Sequence, residues 1–187
     1  YNGPRSQLPP PMRGIQKLIG ALTQRFAGEK DGWRLTIASE LPAERGMGSS
    51  AATAIAIVRA FFDYYEKSLD RTTLLQLADI EEEVTHRSPS GLDAATSSSA
   101  NPLYYVKGQA GQPLKLKLTA TMVIADTGIK GVTKEAITDV QALIRKNPAS
   151  ANQHINHLGA LVKDVRGFLE HNEVGKLGMA LDAAQSD

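Results

Sequence analysis

A helix-forming segment that is apolar on nearly every side constrains the fold more than any other feature of the sequence. Residues 51–65 are rich in alanine, isoleucine and other apolar side chains, and a turn-rich stretch, 42–50, comes immediately before them. A helix that is apolar all round is usually buried. The sequence therefore predicts a packed domain that surrounds this helix, with a loop leading into the helix N-terminus.

Composition and charge argue against several other classes of protein. The 187 residues are 42% hydrophobic, with 21 basic and 20 acidic side chains, which argues against an electrostatic nucleic-acid binder. The absence of cysteine excludes disulfides and cysteine-based zinc sites. Neither a membrane-length apolar run, roughly 20 residues, nor a signal peptide is visible. We expect a cytoplasmic protein with a small-molecule partner, and with neither nucleic acid nor membrane as a partner.

The periodicity of the apolar residues predicts an α+β fold. Helical spacing follows the prolines at 9–11, returns in 72–86, and covers most of the chain after Asp126. The change from mixed elements to helices alone predicts a domain boundary near 127. The strand candidates are 33–38, 103–106, 114–118 and 122–125.

The loop before the apolar helix has the chemistry of a phosphate cradle. Gly46 and Gly48 let the backbone approach a bulky anion closely, and Ser49 and Ser50 add hydroxyl groups. The helix that follows offers unpaired N–H groups and the positive end of its dipole. Anions bind readily at such a terminus.

Three other interpretations of this loop agree with the sequence to different degrees. A Walker loop needs a lysine, and there is none in 31–66. A dinucleotide fingerprint matches formally at Gly46, Gly48 and Ala51, but the predicted strand ends near Ser39 rather than directly before the loop. A plain glycine-rich turn, capped by one of the two serines, also stays open.

Two carboxylates farther along the chain suit phosphoryl transfer to an alcohol. Asp93 follows a sharp loop with Pro89 and Gly91, and Glu82 lies earlier, on the last turns of a predicted helix. The reaction needs a group that accepts the hydroxyl proton and a ligand for Mg²⁺. Taken singly, however, residues 81–83 are typical of a solvated helix end, and Asp93 is typical of a cap.

These motifs resemble those of the GHMP kinases. The loop 42–52 is similar to the second motif of that superfamily, with Met47 where the family has leucine. Residues 90–93, preceded by Glu82, resemble the catalytic segment of its mevalonate kinase branch. The segment 126–134 resembles a substrate-proximal stretch of the same enzymes.

The resemblance implies ATP and Mg²⁺ as cofactors and the primary hydroxyl of mevalonate as phosphoryl acceptor, in isoprenoid precursor synthesis. In that family a glutamate and a loop serine bind Mg²⁺ and an aspartate is the base, roles that fall here on Glu82, Ser50 and Asp93. Thr133 is implied near the substrate. The implied nucleotide-binding residues are Pro42, Gly46, Met47, Gly48, Ser49, Ser50 and Ala51.

The implied fold is a ribosomal protein S5 domain 2-like N-terminal domain, 1–126, followed by the start of a ferredoxin-like C-terminal domain, 127–187. The family's first-motif lysine and its third, glycine-rich loop do not occur, which predicts a chain that lacks both ends. A homodimer is left open. Two rival hypotheses remain: another GHMP kinase, acting on phosphomevalonate, homoserine or a sugar, and a nucleotide-binding module without catalysis.

Overall fold

The chain divides into two compact units, Tyr1–Ala100 (unit 1) and Asn101–Asp187 (unit 2). This division falls earlier than the predicted domain boundary near 127, which remains a prediction about the family's domains. No helix in the described part of the chain combines the length and apolarity that a membrane span requires. The computed structural model describes residues 3–28, 30, 34–42, 46–85, 90–126, 128 and 133–186.

Unit 1 consists of helices packed around a common apolar core. The predicted burial of the apolar helix is confirmed, because one helix, Ser49–Tyr64, contributes half of the core side chains. Burying a large aliphatic or aromatic side chain contributes roughly 1.5–3 kcal/mol, so this helix organises the unit. The helices are α1 (Arg13–Arg25), α2 (Ser49–Tyr64), α3 (Arg71–Thr85) and α4 (Leu92–Ser97), after two 3-10 turns at Arg5–Gln7 and Pro10–Met12. The core side chains include Leu18, Ile19, Leu22, Ala54, Ile55, Ile57, Val58, Phe61, Phe62, Leu74, Ala78 and Ala94.

A close approach between α1 and α3 depends on a glycine. A methyl group built on Gly14 would lie 2.8 Å from both the carbonyl oxygen and Oε1 of Glu81. Real Cβ atoms essentially never make contacts that short, so glycine at this position allows the close spacing. The approach buries Glu81, whose side chain lies toward α1 rather than in solvent.

Unit 2 has a two-stranded antiparallel sheet and three helices. In the sheet Leu103 pairs with Pro113 and Tyr104 pairs with Gln112. The Arg166 guanidinium stacks 4.8 Å from the Tyr104 ring and donates to Oε1 of Gln112 at 2.9 Å, which ties the sheet to a helix. The elements are β1 (Leu103–Tyr104), β2 (Gln112–Pro113), α5 (Thr133–Lys146), α6 (Pro148–His171) and α7 (Val174–Ser186).

The strand predictions were only partly right. The candidate 103–106 contains β1, whereas 114–118 and 122–125 have no strand, and neither does the described part of 33–38. An alternating or apolar segment becomes a strand only if a neighbouring segment completes its hydrogen bonds. Within the described residues only β1 and β2 pair, so the fold is mostly helical with one small sheet.

Candidate active site

The N-terminus of α2 begins at a glycine in a left-handed conformation. Gly48 occupies the N-cap position at φ +65°, and Gly46 has φ +70°. Residues with a Cβ adopt such angles only with strain, so the two glycines set the path of the loop into the helix. The first intrahelical bond runs from the Ala52 N–H to the Gly48 carbonyl at 2.9 Å. A glycine N-cap has no side-chain oxygen to satisfy the N–H groups of the first turn.

The loop residues differ in exposure. Ser50 and Pro42 are exposed, and Met47 is 44% exposed, whereas Ala51 is buried against the core. The carbonyl of Ser49 accepts a hydrogen bond from the Thr53 hydroxyl at 2.8 Å, which fixes the first turn. Residues 43–45 of the predicted phosphate loop lie outside the described residues.

The fold brings Asp93 beside this loop. Asp93 lies in the first turn of α4, whose N-cap is Gly91 at φ +74°. A methyl group built on Gly48 would lie 3.9 Å from Cβ and Cγ of Asp93 and 3.7 Å from Oγ of Ser97. Glycine at position 48 therefore keeps open the space between the start of α2 and the Asp93 carboxylate.

Glu82 contacts the segment that leads into α4. Its Oε1 accepts a hydrogen bond from the Ser90 N–H at 3.2 Å. Its Oε2 is buried and has no hydrogen-bond partner among the described residues. Burial raises the pKa of the Glu82 carboxyl, and the negative charges of Asp79 and Asp93 raise it further, against the lowering effect of the Ser90 N–H. Glu82 thus belongs to an acidic group that includes Asp93.

The carboxylates at 81–83 have three different environments, so a uniformly solvated helix end is the wrong description. Glu81 is only 5% exposed, Glu82 is half-buried, and Glu83 is exposed, 3.9 Å from the Lys17 ammonium. Three consecutive helical residues face three directions, because each is rotated about 100° from the last. Glu82 therefore points toward the loop of Asp93, while its neighbours do not share that contact.

Mg²⁺ fits this acidic group. Among the described residues, Oε2 of Glu82 is a buried carboxylate oxygen without a hydrogen-bond donor, and further negative charge lies near it. Oxygen ligands are those that Mg²⁺ prefers, and with nucleotides it uses one or two carboxylates together with phosphate oxygens. The described residues contain no cluster of three or more His, Cys, Asp or Glu side chains that could hold a metal ion.

Two residues near the site were not predicted. Asp79 lies one helical turn before Glu82, and burial followed by the charge of Glu83 raises the pKa of its carboxyl. The i, i+3 spacing from Glu82 was a signal that could have identified it. Ser97, whose hydroxyl lies near Gly48, carried no such signal, because only the packing of α4 on α2 places it there.

Thr133 stays a prediction. It is the first residue of α5, in unit 2, and its side chain lies outside the described residues. Nothing in the described part of the chain relates it to Asp93 or to the glycine-serine loop.

Comparison with known families gives a match over the first part of the chain. Residues 14–101 match the family described as "GHMP kinases N terminal domain". The matched region contains the α2 loop, Glu82 and Asp93, and it nearly coincides with unit 1. Over these residues the chain is similar to the N-terminal domain of GHMP kinases.

Several individual proteins similar to this chain are mevalonate kinases. The chain is similar to the mevalonate kinase of Aeropyrum pernix, with 24% identity over 152 residues, which is 81% of this chain and 47% of the relative. The mevalonate kinase of Thermococcus sibiricus is 29% identical over 145 residues, or 78% and 43% of the two chains. That of Arabidopsis thaliana is 27% identical over 151 residues, or 74% and 40%. The chain thus spans less than half the length of these curated relatives.

Proposed function

We propose that the protein containing this chain transfers the γ-phosphoryl group of ATP to the primary hydroxyl of mevalonate, giving 5-phosphomevalonate for isoprenoid precursor synthesis. One observation carries the proposal. Asp93 lies beside Gly48, at an uncapped helix N-terminus, with the half-buried Glu82 bonded to the same segment. The similarity to mevalonate kinases supports this choice of acceptor.

In this proposal the glycine-serine loop binds the nucleotide phosphates. The N–H groups of the first turn of α2 donate to phosphate oxygens, and the helix dipole favours the same negative charge. Gly46 and Gly48 permit the close approach, because neither has a side chain between backbone and ligand. The loop acts by positioning the phosphates, which accounts for much of the catalysis in phosphoryl transfer.

Glu82 and Ser50 are the proposed residues for Mg²⁺. When bound, the ion would neutralise charge on the phosphate oxygens. Glu82 offers the buried Oε2 that has no hydrogen-bond donor among the described residues, and Ser50 offers an exposed hydroxyl on the first turn of α2. The Ser90 N–H holds Oε1 and so orients the carboxylate.

Asp93 is the proposed general base. A carboxylate beside the phosphate loop can accept a hydrogen bond from the substrate hydroxyl, orient its oxygen for in-line attack and take its proton. The short helix α4, packed on α2, holds this carboxylate next to the loop. Thr133 is proposed as a substrate contact on the strength of the resemblance alone.

The test is ADP release by the intact gene product, with ATP, Mg²⁺ and a panel of mevalonate, phosphomevalonate, homoserine and galactose. We expect activity on mevalonate, and a loss of about 10²–10⁴ in kcat for Asp93→Asn, the usual contribution of a general base. Asp139→Asn, an exposed aspartate on α5, is the matched control and should keep full activity. Activity on another alcohol of the panel would indicate a GHMP kinase with an acceptor other than mevalonate. If no substrate gives ADP release while the protein still binds nucleotide, the result would favour a nucleotide-binding module without catalysis.

A further inference from the structure

A charged groove lies in unit 1, toward the end of α2 that is remote from the glycine-serine loop. Its volume is about 640 Å³, and Arg59 of α2 is among its lining residues. Arg59 comes ten residues after Ser49, which is about 15 Å along the helix axis. The groove is therefore distinct from the candidate active site.

Three cations from three successive elements line this groove. Arg59 belongs to α2, Lys67 to the connection between helices, and Arg71 is the first residue of α3. Within the described residues none of the three is paired with a carboxylate, even though Asp63 and Asp70 also line the groove. Three cations gathered at one concave surface attract an anion.

The two arginines are held in place by the end of α4. An Nη2 donor of Arg59 bonds to the Ser98 carbonyl at 3.3 Å, and one of Arg71 bonds to the Ala95 carbonyl at 3.2 Å. A guanidinium group has five N–H donors, so each arginine keeps donors for a ligand. Because these contacts restrict the side chains before binding, less conformational entropy is lost when an anion binds.

The carboxylates of the groove limit its charge but do not cancel it. Asp70 accepts hydrogen bonds from the backbone N–H of Thr73 at 2.9 Å and from the Thr73 hydroxyl at 2.7 Å. The Asp70 carboxylate is therefore engaged in capping the start of α3. Three cations against two carboxylates leave one net positive charge. The floor, which includes Phe62, Leu69 and Leu74, adds apolar surface.

We infer that this groove binds a small phosphorylated molecule through its phosphate or pyrophosphate group. The forked guanidinium donors of Arg59 and Arg71 match phosphate oxygens, which accept two parallel N–H bonds. Lys67 supplies a third, mobile charge from the connecting segment. The apolar floor accommodates the uncharged part of the same molecule.

The first test is an NMR titration of the ¹⁵N-labelled full chain with inorganic pyrophosphate, in the absence of divalent cations. Binding in the groove is expected to shift the amide signals of 66–73, whereas binding at the phosphate loop shifts those of 46–51. Raising the salt concentration from 50 to 200 mM should weaken the groove signal, because the attraction is between charges. Shifts confined to 46–51 would overturn the inference.

The second test removes one charge without touching the fold. The Lys67 side chain has no hydrogen bond or ion pair within the described residues, so Lys67→Gln should leave the unfolding midpoint unchanged. Pyrophosphate affinity at 66–73 should fall about tenfold, the usual effect of losing one charge-assisted hydrogen bond. Lys115→Gln, an exposed lysine in unit 2, is the matched control and should change nothing. Equal effects of the two variants would show that binding is non-specific and overturn the proposal.

Discussion

Helices α2 and α3 pack in the same core but begin in two different ways. The N-cap of α2 is Gly48, which has no side-chain oxygen. The start of α3 is closed by Asp70, whose carboxylate accepts from the Thr73 N–H at 2.9 Å and whose pKa is lowered by that bond. A capped terminus satisfies its own N–H groups, whereas a glycine start leaves them to another partner.

The two helix starts distinguish residues that stabilise the fold from residues that leave room for a ligand. A capping aspartate contributes to the folded state whether or not anything is bound. The glycine start of α2 has no side-chain cap bond, yet it keeps the space between Asp93 and the loop open. Loss of the cap of α3 should therefore affect stability alone, whereas substitutions at the start of α2 should also affect ligand binding.

The largest expected effect is on the Mg²⁺ requirement. If Ser50 is a ligand, Ser50→Ala should raise the Mg²⁺ concentration for half-maximal rate at least about tenfold, a loss usual when even a supporting contact of a metal site is removed. Steady-state assays of the intact protein across a Mg²⁺ series measure this. Thr73→Ala, the corresponding hydroxyl deletion at α3, should leave the requirement unchanged. An equal shift in both variants would contradict the distinction between the two helix starts.

The next effect is on the stability of the α2 start. Gly48→Ala places a residue with a Cβ at φ +65°, which costs about 1–2 kcal/mol. Urea unfolding should show a lower midpoint. Gly20→Ala is the matched control: it lies inside α1 with open space around its Cβ position, and it should stabilise the protein by about 0.5–1 kcal/mol. If both variants changed the free energy of unfolding in the same direction, the left-handed conformation of Gly48 would not explain the effect.

A smaller effect is expected where α3 is capped. Asp70→Ala should lower the unfolding midpoint modestly and leave phosphoryl transfer unchanged, because it removes a helix cap and no residue of the candidate active site. The lowered pKa of Asp70 means that its contribution is present above the ordinary value of 3.8 and is lost as the pH falls through the folded-state pKa. Unfolding midpoints of variant and parent should therefore converge in strong acid. A gap that persists there would exclude the charged cap as the cause.

The smallest expected effect on stability comes from Glu82. Its pKa is raised above the ordinary 4.5, so the carboxyl favours folding below that value and loses this contribution as the pH rises through the folded-state pKa. Glu82→Gln, which carries no charge, should raise the midpoint modestly at pH 8 and not at pH 4. Thermal unfolding at the two pH values measures the difference. A variant that is less stable at pH 8 would show that the ionised carboxylate has a partner that offsets its burial.

Different parts of the molecule were predictable to different degrees. The composition of 51–65 predicted a buried helix, because its apolar side chains cover the whole helix circumference. The strand candidates were less reliable: alternation describes one segment, while a strand requires a pairing partner. Met122, Val123 and Ile124 illustrate the difference, since they are apolar but at least 75% exposed and unpaired in any strand of the described chain.

The sequence by itself determined the buried helix α2, the glycines that start it and the types of carboxylate available for chemistry. These are local properties, set by backbone freedom, helix periodicity and side-chain chemistry. Only the tertiary structure decided that Asp93 lies beside Gly48, that Glu82 bonds to Ser90, and that Glu81 turns toward α1. These contacts depend on how α1, α3 and α4 pack around α2, and packing joins residues whose separation along the chain carries no signal of their distance in space.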